Sequence, residues 1–579
     1  MILLGWLLHA FYATAIAYLL SLAFGGLADW ISVAALLGGT ALAVKHARAF
    51  SSSHRELTWN SFSQGGTGIM EVVLFTFLMF AGLRHFIWLF YRVDHGWSTL
   101  GINNFGDLPL HITYIRALAN GISFPPHNPD FASKILLYPF GPDLYNALWE
   151  SVGVRLPTHL TLTGIFALCI SLVFLRAYAS WWGVGAFFLS GGFAGWNVLA
   201  RAPLENSHQN VEWKNLLLAV FITQRGILFA LPAGLFLLNC VRKHFSGEKV
   251  LTKSQMTILG LVWAILPLFH LHTFVAISLI MAGCAFAYRG IQGVKGLLTS
   301  RMAMIAYLPA TLQVLASTEF LKKASVVSVS WGWMAPQGKF FEFMIYNFGL
   351  WLLLPAVLAV GILFRKTDDK RALWIEWGVY TFLFILFFNV MLAPWAWDNI
   401  KVLIWPYLGF ARLGCVVLEP YIERFGGGVA RAAVAFALFL SGFSVVLWSV
   451  SAPNRTAAQI YHVSELAKAE GALADVPKPA VFAAATTHDH VLTYFGRMRV
   501  VGYEGRIWTH GIDPKDVISK LKSLMQGEGD WLKTAHELGV EYIYWGPQEA
   551  ALYGADPKPW MTTLKNVSRV PDHAIYLVK

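Results

Sequence analysis

Long apolar runs, separated by short polar breaks, fill the first three quarters of the chain. Many are about 18 residues or longer, enough to cross a hydrocarbon core of ~30 Å. They predict about 13 membrane-spanning helices, at roughly 2–24, 28–45, 67–91, 158–178, 181–200, 214–241, 255–270, 272–289, 297–318, 341–364, 372–393, 400–422 and 428–450. The first run, MILLGWLLHAFYATAIAYLL, has neither a basic n-region nor a small-residue cleavage site and reads as a retained span. One break stands apart. Asn103 to Gly121, NNFGDLPLHITYIRALANG, carries Asp107 and His111 and then a short amphipathic run, Ile112, Ile115 and Leu118. It reads as a structured loop and surface helix at a membrane face.

From about Ser451 the pattern changes. A helical stretch over 457–474 leads into a strand at Ala480–Ala485, with further strands at Val500–Tyr503 and Val540–Trp545 and a helix at Pro514–Met525 between them. Alternating strands and helices predict a small α/β domain. The expected architecture is an all-α polytopic membrane bundle, residues 1–450, with a loop at 92–157, followed by a soluble α/β domain at 451–579.

Composition agrees. The 579 residues are 56% hydrophobic and 13% charged, against ~25% charged in ordinary soluble domains. The net charge of +11 is scattered over short interhelical loops, which excludes nucleic acid as a partner. Lys and Arg gather between spans two and three, six and seven, eight and nine, ten and eleven, and twelve and thirteen. All these loops share one side, which the positive-inside rule makes cytoplasmic. The N-terminus then lies inside the plasma (inner) membrane, and the loop 92–157 and the C-terminal domain lie outside the cytoplasm. Cys169, Cys240, Cys284 and Cys415 all fall in apolar segments and form neither a disulfide framework nor a CxxC metal site. No P-loop, GxSxG, HExxH or GxGxxG stands in its supporting context, which argues against a nucleotide-driven pump.

The chemistry is left to polar residues at one membrane face. Asp107 either caps a helix beginning near Pro109 or serves as a general base, a role that low dielectric favours by raising a carboxylate's pKa. His111 lies on the same loop. His270 and His272 interrupt LVWAILPLFHLHTFVAISL after Pro267. At a turn they converge, to bind phosphate or to join Asp107 around a divalent metal; otherwise they mark a polar hairpin tip. Gln224 and Arg225 lie inside the sixth run, where a guanidinium fork suits a phosphate or diphosphate, unless it forms a structural ion pair. Asp398, Asn399 and Lys401 open the twelfth run in LAPWAWDNIKVLIWP. They bind a polar headgroup there, or serve as an N-cap and a snorkelling lysine. In the C-terminal domain, the loop Gly502 to Gly511 offers Glu504, Arg506 and His510 at a strand end, with His488 and His490 on the same edge. Its other reading is a loop that packs the domain onto the membrane part.

With these residues in view the chain resembles the GT-C superfamily of integral-membrane glycosyltransferases. Those enzymes use sugars carried on polyprenyl phosphates or diphosphates. The likeness rests on many spans, an acidic residue in a long early loop with juxtamembrane helices, and a C-terminal domain outside the cytoplasm. The family often has paired acidic residues in that loop, following the first span. Here Asp107 stands alone, in FGDLPLH, and the loop follows the third run. TQRG, PLFHLHTF and WAWDNIK are similar to motifs of uncharacterised bacterial membrane proteins associated with this superfamily. The resemblance implies Asp107 as base, a polyprenyl-phosphate sugar as donor, and a glycan, lipid or protein of the cell envelope as acceptor. Arg225, Lys401, His270 and His272 would then meet the leaving phosphate. A flippase for such lipids or an envelope-assembly scaffold are the alternatives.

The charge pattern makes a topological prediction. A reporter active only in the periplasm, fused after Lys579, is expected to be active. Activity of a cytoplasm-only reporter at that point would overturn the arrangement and move Asp107 to the wrong side.

Overall fold

The computed structural model describes residues 1–50, 69–193, 196, 211–318, 327–451 and 457–578. It is mostly helical. Among the described residues nine helices are long and apolar enough to cross a membrane, making this a multi-pass membrane protein. Most of the expected runs appear as helices, with corrections where backbone geometry intervenes. The fourth and fifth runs share one helix, Leu156–Phe188, broken at Ala179 and Ser180, where Ser180 has φ 53°. A Cβ on Gly183 would lie 2.8 Å from the Leu175 carbonyl oxygen, so the chain doubles back there. The helix after the break stops at Phe188, short of the expected 200. Residues 194–195 and 197–210, which include most of the polar break 201–213, lie outside the described residues. The sixth run is also interrupted. A five-residue π turn at Leu217–Phe221 ends in an extended Gln224, and the regular helix begins at Arg225. The runs at 255–270 and 297–318 form shorter apolar helices, and the last two runs lie in a helical stretch over Ala396–Ser451 broken at Gly426 and Gly427.

The segment Asn103–Gly121 corrects the surface reading. Its helix spans Ile102–Ala119, and Ile112, Ile115 and Leu118 are fully buried. It packs against the helix Gly141–Ser151 on one side and against strand 457–462 and helix 491–494 on the other. Strand 457–462 replaces the expected start of a helix. It pairs antiparallel with strand Gly96–Leu100, Leu100 opposite Ala457, and helix 463–473 follows it.

The C-terminal part contains a five-stranded sheet in the order 565–566, 574–577, 542–545, 481–483, 498–499. The last three strands run parallel, with Tyr542 opposite Phe482 and Val481 opposite Met498. The second expected strand sits earlier than predicted, at Met498–Arg499, because Gly502 turns the chain out of the sheet. Its amide donates to the Asp130 carbonyl, and a Cβ there would lie 2.5 Å from the Asp130 carboxylate. Asp130, from the turn between strands 127–128 and 131–135, is 1% exposed and bonded to both Arg499 and Arg506. Burial alone would raise its pKa, but the two guanidiniums outweigh that and hold it below the usual carboxylate range.

This latch is testable. Asp130→Ala strands two buried guanidiniums without their carboxylate, a change that typically costs about 3–5 kcal/mol. Thermal unfolding and limited proteolysis should show a C-terminal part that loosens first. The depressed carboxylate contributes stability above its unfolded pKa of ~3.9, lost as pH falls through the lower native value. The wild-type advantage over Asp130→Ala should therefore shrink only in strong acid. A variant as stable and protease-resistant as wild type would show that the latch holds nothing.

Candidate functional site

Four helices begin around one cavity of about 520 Å³, starting at Gly141, Arg225, Leu271 and Ile400. Their packing is close at two glycines. A Cβ on Gly141 would lie 2.8 Å from the Leu268 carbonyl oxygen, and one on Gly226 2.8 Å from that of Phe269. Both helix starts are thereby pressed onto the break at Phe269–His270. Each start leaves backbone N–H groups without helical partners and a partial positive charge, which favours an anion.

The helix Ile102–Ala119 crosses the same cavity. It begins at Gly101, at φ 91°, so Asp107 sits inside the helix and does not cap it. Pro109 has no amide to give the Phe105 carbonyl, which loosens the turn that carries Asp107. Asp107 and His111 are one turn apart on one face, and both line the cavity. Burial raises the Asp107 pKa. His111 and Lys401 pull it down, Asp398 pushes it up, and Arg506 pulls weakly; the net shift is upward. His111 Nδ1 lies 2.8 Å from Oδ1 of Asp143, which is wholly buried and whose Oδ2 has no partner among the described residues. Burial raises the Asp143 pKa against the opposing pull of His111 and Arg225.

His270 and His272 do converge, their ring centroids 5.8 Å apart. The Thr273 amide donates to His270 Nδ1, so neutral His270 carries its proton on Nε2. Nε2 of both rings is buried without a partner. Arg225, 1% exposed at the first position of its helix, has no hydrogen-bond partner on any guanidinium nitrogen among the described residues. It stands behind the lining residue Gln224, whose Oε1 is also unpartnered. Lys401 lines the cavity and is paired with Asp398 at 2.9 Å. His510 also lines the cavity, its ring 5.1 Å from Tyr138 and its pKa pushed down to about 4 chiefly by burial, so it is neutral near pH 7.

Three expected site residues fall elsewhere. Asn399 does not line the cavity. Its side chain is committed to backbone, accepting from the Leu392 amide and donating to the carbonyls of Phe387 and Val390, which holds the turn before helix 400–413. Arg506 is spent on Asp130 and the His488 carbonyl. Glu504 is exposed in the first turn of the short helix 504–509, away from the cavity. His490 is likewise structural, bonded to Glu549. Two lining residues were not singled out from the sequence. Tyr138 lies in the turn-rich stretch before Asp143, and Lys214 follows the polar break at 201–213 and stands 5.9 Å over the Trp397 ring. Among the described residues no three His, Cys, Asp or Glu side chains are grouped to hold a metal ion, so no step is routed through one.

No protein-family profile matches the chain, and no curated protein matches it. Among solved structures it is similar to the archaeal oligosaccharyltransferase AglB from Archaeoglobus fulgidus, in complex with an inhibitory peptide and a dolichol-phosphate. The identity is 10%, over 84% of this chain and 70% of that one, with a TM-score of 0.39. A likeness at that level assigns no residue a role.

Because Arg225 is unpaired among the described residues, its removal is expected to be tolerated. Arg225→Met should keep or raise the melting temperature, as a buried unpaired charge opposes folding. Arg225→Lys keeps the charge and loses the fork. If the guanidinium serves an anion, either change should weaken binding of a polyprenyl monophosphate about tenfold to a hundredfold, the ~1.5–3 kcal/mol of a charged hydrogen bond. A strongly destabilised Arg225→Met with unchanged phosphate binding would make the residue a structural ion pair.

Proposed function

We propose that the protein is a membrane glycosyltransferase that moves a sugar from a polyprenyl-phosphate-linked donor to an acceptor outside the cytoplasm. The observation that carries this reading is the composition of the cavity. Its lining includes the carboxylates Asp107 and Asp398, with Asp143 behind His111. Beside them are buried polar groups without partners among the described residues: the Nε2–H of His270, Nε2 of His272 and the Arg225 guanidinium. Lys214 and Lys401 also line the cavity, and helices begin beside it.

Such a combination suits glycosyl transfer. The acceptor hydroxyl attacks the anomeric carbon, and its proton passes to a base in the cavity. The bond from that carbon to the phosphate oxygen breaks, and negative charge grows on the leaving lipid phosphate. Donors fixed before the reaction stabilise that charge in a site poor in water. Asp107 is the residue we assign to the acceptor, deprotonating or orienting its hydroxyl. The lipid tail stays in the bilayer beside the bundle, and His510 and Thr509 cover the cavity from the C-terminal side.

The test is sugar transfer by purified protein in lipid nanodiscs from a panel of polyprenyl-phosphate and polyprenyl-diphosphate sugars. Asp107→Asn keeps size and much of the hydrogen bonding. It should express and melt like wild type, bind donor nearly normally, and transfer at least about a hundredfold more slowly. A wild-type protein that translocates the lipid without transferring sugar would make it a flippase. A folded Asp107→Asn protein with most of its turnover would remove Asp107 from the chemistry.

A further inference from the structure

Buried histidines bonded to carboxylates occur at several places in the protein, and they are not alike. His490 donates or accepts through both ring nitrogens, Nε2 with Glu549 and Nδ1 with the Leu492 amide. His159 does the same, Nδ1 with Asn146 and Nε2 with Glu150. Both are closed, structural pairs. His111 is open. Nδ1 is bonded to Asp143, while Nε2 has no hydrogen-bond partner among the described residues and the ring lines the cavity. With its proton on Nδ1, towards the carboxylate, the neutral ring carries its lone pair on Nε2.

We propose that His111, held by Asp143, is the proton acceptor of this site, and that Asp107, one turn earlier on the same helix face, orients the acceptor hydroxyl. The assignment rests on the glycosyl-transfer reading above. In the step, the acceptor O–H proton moves to His111 Nε2 as the oxygen bonds to the anomeric carbon and the phosphate oxygen leaves with the electron pair of the broken bond. The imidazolium is then stabilised by Asp143 through Nδ1–H, and gives up its proton to water once product departs. An imidazole is better matched to general-base work than an ordinary carboxylate.

Asp143 is a positioning residue in this scheme. It fixes the tautomer and ring plane and favours the charged ring. Its place is set by the start of helix Gly141–Ser151, and Arg225 is near enough to pull its pKa down. The groups about His111 are Asp107 on its own helix, Asp143, Tyr138 with its ring 6.1 Å away, and Arg225 through its pull on Asp143, with His270, His272, Asp398, Lys401 and His510 elsewhere on the cavity lining. Removing the Asp143 charge leaves the cations Arg225 and Lys401 in place, so the imidazolium becomes harder to form.

The experiment uses full-length wild type, Asp143→Asn and His111→Gln in nanodiscs, with two readouts across pH. One is sugar transfer from the donor panel. The other is exchange of the His111 Cε1 proton for deuterium, read by mass spectrometry, which reports the ring's own titration without any activity. Wild-type transfer should rise with pH along a limb whose midpoint equals the His111 exchange midpoint. Asp143→Asn should move both midpoints to lower pH and slow maximal transfer. His111→Gln should remove the limb and slow transfer ~10²–10⁴-fold, the usual worth of a general base. A limb that stays in place in Asp143→Asn while the exchange midpoint moves overturns the proposal and returns the base to Asp107. An exchange midpoint indifferent to Asp143→Asn overturns the pairing itself. Wild type that transfers no sugar from any donor overturns the glycosyltransferase reading and the base assignment with it.

Discussion

A charge buried in a bundle this apolar is costly unless it is paired and hydrogen-bonded, and most of the structure follows from how that demand is met. Away from the cavity it is largely met. Glu376 is bonded to Arg412 between two helices, and Glu419 accepts from Trp181 and Trp182 and pairs with Arg431. Asp130 joins two arginines, and Glu549 accepts from two backbone amides and His490. These groups fix elements to one another. Around the cavity it is not met. Arg225, His270 Nε2, His272 Nε2, one oxygen of Asp143 and His510 Nδ1 are buried without partners among the described residues. Unpaired polar groups concentrated in one place are the mark of a site that awaits a ligand.

The same constraint explains how the C-terminal part reaches the chemistry. The helix bearing Asp107 and His111 is built into it on several sides. Arg116 donates to the Tyr494 carbonyl and stacks over its ring, Asn120 donates to the Phe495 carbonyl, and Phe105 meets the His488 ring at 4.5 Å. With Asp130 latched by Arg499 and Arg506, His510 is carried to the cavity lining. Residues far apart in the chain thus face one volume because backbone carbonyls and buried ion pairs tie their carriers together.

The polarity of the cavity also separates two kinds of group. Lys401 already has Asp398, and Lys214 lies over Trp397, so both are held by a neighbour. Arg225 has no carboxylate within hydrogen-bond range among the described residues and is 1% exposed. The histidines are kept neutral where burial dominates, as at His510, and are then hydrogen-bond donors or acceptors rather than charges.

Much of this protein is legible in its residues because membrane insertion acts on local sequence. A long apolar run must satisfy its backbone internally, so it is a helix wherever it lies. Asp107, His111, Arg225, His270, His272, Asp398, Lys401 and His510 stand out for the same reason: polar residues at the breaks of apolar runs are few. Tertiary structure decided what those residues do. Asp143 acquires its role from His111, thirty-two positions away. Asn399, Arg506 and Glu504 look equivalent to their neighbours until backbone carbonyls, Asp130 and solvent claim them. The strand at 457–462 exists because strand 96–100 offers an edge to pair with. Apolar length is a property of a segment and can be read from it. Partnership is a property of two segments, and only the fold brings both members of a pair together.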